Sequence, residues 1–200
     1  TRFLAFILLL VLTATAKAAQ GPKEQVETTV SAVLGVLKDG SMERETRRDK
    51  IRALIQARFD FRTMSQRTLA TYWKKATVQE QDRFVELFSR LLEWTYIGRI
   101  EAYSNETVKY TGERIKKDRA LVDTFIVTAS TDIPIDYKLL KNGNQWLVYD
   151  VIIEQVSLVR NYRGTYRSIV KRHGIGGLLE KMEQKIQQMK ENANSAEKKT

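Results

Sequence analysis

The sequence predicts an α+β domain in which helices pack on one face of an antiparallel sheet of about four strands. Three observations carry this. Apolar residues recur at helical spacing from 22 to about 103, the period changes to two between 106 and 153, and helical spacing returns from 157. Helices, then a meander, then helices again leave the sheet one face to bury against them.

The start of the chain stands apart. Arg2 precedes the apolar run 3–12, and small residues lead to an Ala16-Lys17-Ala18 exit. A charged end, a hydrophobic stretch and small residues have the order of a secretory signal peptide. A bilayer-spanning helix needs roughly 20 apolar residues, and this run is shorter. Residues 1–19 are therefore expected to be a signal peptide, the alternative being a short buried N-terminal helix. Residues 20–189 are expected to form one domain, and the polar, charged stretch 190–200 a disordered tail.

Within the domain, Val26, Val30, Val33, Leu34 and Leu37 give the first helix its apolar stripe, and Asp39-Gly40 stops it. A second helix turns Ile51, Leu54 and Ile55 inward and Arg44, Arg47, Arg48 and Arg52 outward. Asp60 is placed to cap a third, with Phe59 and Met64 as its hydrophobic staple. Thr77-Val78-Gln79-Glu80 is a capping box opening the longest helix, 78–103, whose inner stripe holds Phe84, Leu87, Phe88, Leu91, Leu92 and Tyr96. Strands follow over 106–115, 120–129, 133–140 and 145–153, with Asn142-Gly143-Asn144 as the last hairpin turn. Pro134 argues for a strand edge or a strand end. Two helices close the chain, 157–173 with a stop at Gly174, and 177–189.

Composition narrows the functional classes. The formal net charge is +10, or +8 without Arg2 and Lys17. Anionic lipid head groups or an acidic partner surface suit such a chain; nucleic acid does not, because the basic residues are scattered and export removes the usual substrate. With no cysteine there is no disulfide framework, no thiolate nucleophile, no sulfur-ligated metal and no N-terminal lipid anchor, so an exported chain is expected to diffuse freely. The single His173, beside a helix stop, suits a surface or capping role, and Gly174-Ile175-Gly176-Gly177 reads as a turn between helices. No catalytic residue, metal or cofactor is assigned. Carboxylates are the remaining enzymatic resource: Asp132 with Asp136, or Asp150 with Glu154 on the strand face of Trp146. A small cone-shaped enzyme built on a buried Asp150 is therefore one alternative, and a non-catalytic structural module with a filled core is another. An ion pair from Asp150 to a nearby Arg or Lys would take from the first its best residue.

The stretch from Trp146 to Arg163, WLVYDVIIEQVSLVRNYR, closely resembles the signature of the MlaC family of periplasmic phospholipid-binding proteins, once called toluene-tolerance auxiliary proteins. Phe59-Asp60-Phe61 with Met64, Tyr72-Trp73-Lys74, Phe84 to Leu92, Tyr96 and Ile133 to Tyr137 support it, so the resemblance spans about 22 to 188. Gln155 departs from the Gly expected between strand and helix. The resemblance implies an apolar cavity between sheet and helices, holding acyl chains with the head group at the mouth. It also implies a carrier, not an enzyme, which shuttles phospholipid between an inner-membrane ABC transporter with an MCE-domain ring and an outer-membrane lipoprotein–porin complex, maintaining outer-membrane asymmetry. The residues expected to line the cavity are Tyr149, Val151, Ile153, Val156, Val159 and Tyr162, opposed by Met64, Phe88, Leu92 and Tyr96. Arg160 and Arg163 are the head-group candidates, with a salt bridge to Asp150 or Glu154 as the alternative.

Overall fold

The computed structural model describes residues 20–103, 106–128 and 130–197, so the expected signal peptide lies outside the described residues. Helix α1 (Pro22–Lys38) begins on proline, whose missing N–H is no loss in a first turn. The Lys23 N–H donates to Glu113 Oε1 at 2.7 Å and ties this end to the first strand. Helix α2 (Arg44–Gln56) buries Ile51 completely. Arg48, expected on its outside, is buried instead, because a matching carboxylate meets it: its Nε and Nη2 donate to the two oxygens of Glu101 at 2.8 and 2.9 Å.

Helix α3 (Phe61–Leu69) is capped by Asp60, which accepts the Thr63 N–H at 2.8 Å. A 3-10 turn over Ala70–Lys75 leads to α4 (Val78–Glu101). Its capping box is complete: the Glu80 N–H donates to Thr77 Oγ1 at 3.2 Å and the Thr77 N–H to Glu80 Oε2 at 2.8 Å.

Five strands follow in an antiparallel meander, β1 (Thr107–Lys116), β2 (Arg119–Val127), β3 (Asp132–Asn142), β4 (Gln145–Ile153) and the two-residue β5 (Val156–Ser157). The sequence reading has four; β5 is too short to show a period. Pro134 sits near the start of β3, opposite Phe125 of β2, so the strand-end reading is the one observed.

One irregularity decides what β4 presents. Lys138 pairs with Asp150 and Leu139 with Val148, which leaves Tyr149 as an extra, bulged residue. Side chains alternate along a strand, so one extra residue reverses the parity. Trp146 and Val148 before the bulge therefore share the inner face with Val151 and Ile153 after it. At the next turn Glu154 and Gln155 both have positive φ (47° and 68°), as a two-residue hairpin of this hand requires.

The chain ends in α5 (Leu158–Glu197), broken at Gly174, where φ 70° and ψ −177° suit only glycine. The expected stop is thus in place. The expected disordered tail is corrected as far as 197: Lys190, Glu191 and Ala193 favour helix, and the helix continues. Helices α3, α4 and α5 share a core in which Phe84 and Phe88 are fully buried and Tyr166 meets both edge-on. A second core, around Val122, Leu139 and Val148, lies on the inner face of the sheet beneath α1. Among the described residues no helix is long and apolar enough to cross a membrane.

Candidate functional site

The inner face of the sheet and helices α1, α2 and α4 do not close on one another. Between them lies an apolar pocket of about 630 Å³, within the span of roughly 300–1,000 Å³ usual for ligand sites. The sheet contributes Ile133, Ile135, Tyr137, Val148, Val151 and Ile153. Opposite stand Leu92, Tyr96, Ile97 and Ile100 of α4, with Ile51 and Ile55 of α2. Along α1, only Val26 of the apolar stripe is fully buried; Val30, Val33, Leu34 and Leu37 border the pocket and are only partly buried. Short aliphatic side chains on this helix leave the space that aromatic ones would fill.

Burial acts on the tyrosines of this interior. Burial pushes the hydroxyl of Tyr110, in the sheet core, up to about 12. Burial likewise raises those of Tyr137 and Tyr96, on the pocket wall, although Arg99 partly offsets the shift at Tyr96.

Three cations border the pocket. Arg52 is neutralised by Glu93, which accepts from its Nε at 2.8 Å. Arg58 and Arg99 have no carboxylate partner among the described residues; the Arg99 guanidinium lies 5.9 Å from the Tyr96 ring centre.

The structure sorts the residues singled out from sequence. Met64, Leu92, Tyr96, Val151 and Ile153 line the pocket together. Phe88, Tyr149, Val159 and Tyr162 belong to the helical core instead. Phe88 and Tyr162 are spent on each other, edge to face at 5.3 Å, and the bulge turns Tyr149 out of the pocket, under the Arg67 guanidinium at 4.3 Å. Val156, beyond the hairpin turn, is 53% exposed. Arg160 is exposed and off the pocket, and Arg163 Nε donates to the Arg67 carbonyl at 2.8 Å. Neither pairs with Asp150 or Glu154.

Asp150 does not lie in the pocket. Parity reversal at the bulge takes it off the face of Trp146, where it accepts from Ser157 Oγ at 2.8 Å, the Val159 N–H at 3.1 Å and Lys138 Nζ at 3.3 Å. It caps α5, and the enzymatic alternative loses Asp150 as its pocket acid. Asp136 stands away from the pocket, opposite Asp123 in the sheet. Burial and that neighbour raise its carboxyl, against Arg114 and Lys138.

Sequence reasoning missed the contribution of α1 and of β3. Their apolar positions were legible, but periodicity does not distinguish a side chain that fills a core from one that borders a space.

Known proteins are similar to this chain in sequence and fold. A model of the MlaC protein family matches residues 27–184. The intermembrane phospholipid transport system binding protein MlaC of Haemophilus influenzae is 27% identical over 128 residues, 61% of this chain and 60% of that protein, so the match spans less than two thirds of the relative. A toluene tolerance protein of Pseudomonas putida is 25% identical over 171 residues, 78% of this chain and 76% of that one. The solved phospholipid-binding protein from Ralstonia solanacearum, in complex with a phospholipid, superposes with a TM-score of 0.77 at 27% identity, covering 85% of this chain and 99% of the other. With the family model spanning α1 to α5 and the fold shared with a lipid-bound relative, this chain belongs to the MlaC family.

Proposed function

We propose that the chain is a soluble periplasmic carrier that holds the acyl chains of a phospholipid in the pocket between sheet and helices. It would pass the lipid between an inner-membrane ABC transporter with its MCE-domain ring and an outer-membrane lipoprotein–porin complex. The observation that carries this reading is the unfilled apolar pocket of about 630 Å³, in a chain whose structural relative was solved with a phospholipid.

The energetics favour such a device. Each acyl methylene returned to water costs about 0.8 kcal/mol, so two chains of roughly 15 methylenes cost on the order of 24 kcal/mol when exposed. A wall of Val, Ile and Leu offsets that cost without a directional bond, so the same chains transfer readily to another apolar surface. Arg58 and Arg99, the unneutralised cations of the lining, replace Arg160 and Arg163 as candidates to meet the phosphate. Catalysis has no part in this scheme.

The test is transfer. A phospholipid with a fluorophore on its acyl chain, quenched in donor vesicles, should gain fluorescence when delipidated protein is added and lose it to quenched acceptor vesicles. Failure to take up the probe would contradict the reading.

A further inference from the structure

The first half of α5 carries an unbalanced charge. Arg160, Arg163, Arg167, Lys171 and Arg172 are all exposed, and no Asp or Glu occurs between Glu154 and Glu180. At 100° per residue, positions 160, 163, 167 and 171 fall within about 80° of one another and extend over about 16 Å. None of these four forms an ion pair among the described residues; Arg163 donates only to the Arg67 carbonyl. On α2 and α4 most arginines are paired with a carboxylate, Arg44, Arg48, Arg52, Arg83 and Arg90 among them, and single ones such as Arg99 stand alone without forming a run. A run of like charges on one helix face repels itself, at a modest cost at each step.

We propose that this face of α5 is a docking surface for an anionic lipid bilayer. Charge complementarity requires an anionic partner, and the neighbouring positions indicate which kind. Between the cations the exposed residues are Asn161, Gly164, Thr165 and Ser168, while Tyr162, Tyr166 and Val170 turn inward. A protein interface takes its affinity from a few buried aromatic or aliphatic anchors, and this face offers none. A bilayer surface needs no anchor: each cation near it contributes about 1 kcal/mol, and guanidinium pairs well with phosphate. Binding built this way stays reversible, as a carrier needs. The stripe also begins beside the pocket, because Leu158, the first residue of α5, is part of the lining. The docking inference rests on the carrier reading only for its purpose.

The experiment is co-sedimentation with vesicles of phosphatidylcholine alone or of phosphatidylcholine with phosphatidylglycerol. The protein should sediment with the anionic vesicles, not with the neutral ones, and less so as salt screens the charges. Arg160→Gln/Arg167→Gln/Lys171→Gln should lower the partition coefficient roughly a hundredfold, with the circular dichroism spectrum and lipid content unchanged. A control, Lys109→Gln/Lys116→Gln/Arg119→Gln, removes the same charge from the exposed β1–β2 hairpin and should lower it far less. Equal loss in both variants would trace binding to net charge and overturn the proposal. So would indifference to anionic vesicles, including the case in which poly-glutamate is bound instead, which would assign the stripe to an acidic protein. The two readings fail separately: Val151→Glu should empty the pocket yet leave vesicle binding intact.

Discussion

Val151 and Val156 flank one tight turn, yet only Val151 borders the pocket, while Val156 is 53% exposed. A carboxylate at Val151 would occupy chain volume and stand unpaired among apolar side chains. Val151→Glu should therefore purify without phospholipid, whereas Val156→Glu should load normally, as measured by lipid extraction and mass spectrometry. Strict alternation makes 149, 151 and 153 neighbours on one face, and Val156 joins them in the sequence-based lining because it follows directly in the same signature stretch. A single bulged residue, Tyr149, breaks that rule, and no local signal announces it. Gln155 was legible as unusual. It adopts φ 68°, a conformation that costs a non-glycine residue about 1 kcal/mol or more. Gln155→Gly should raise unfolding stability in urea by about 0.5 kcal/mol, the relief of that strain less the extra freedom of the unfolded chain.

At the scale of elements, local chemistry was readable and long-range pairing was not. The Asp60 cap, the Thr77–Glu80 box and the Gly174 stop all act within a few residues, so the sequence shows them directly. The Arg48–Glu101 pair joins α2 to the end of α4 across the chain, and nothing near Arg48 marks it as buried. This pair fixes two walls of the pocket. Burial pushes the Glu101 carboxyl up, but Arg48 and Arg44 outweigh it and hold the group below the usual carboxylate range. A lowered folded value means that the pair's stabilisation is complete above the ordinary carboxylate range and is lost as pH falls through it and below. Glu101→Gln, which takes from Arg48 its two-pronged partner and leaves it the Glu45 carboxylate at 3.3 Å, should cost about 2 kcal/mol at neutral pH. That cost should shrink in acid, and urea unfolding of both proteins across pH checks it.

For the whole molecule, the α+β class and the order of helices and strands followed from periodicity, because burying one face of each element leaves few arrangements. Whether those faces meet or stand apart did not follow. Val30, Val33 and Leu37 of α1 look the same in sequence whether they pack against the sheet or border a space, and only the positions of the other elements decide. The site was legible to the same degree: Leu92, Tyr96, Val151 and Ile153 were found by their faces, while Tyr162 and Val159 were given to the pocket although α4 and α5 needed them for their own core. The central claim is that the space between sheet and helices exists to hold acyl chains. Native mass spectrometry of the protein purified from a Gram-negative periplasm, followed by lipid extraction, tests it most directly. The account predicts a mass above that of the polypeptide by one phospholipid, which extraction releases intact. A polypeptide mass alone, from protein with its tertiary structure intact, would contradict it.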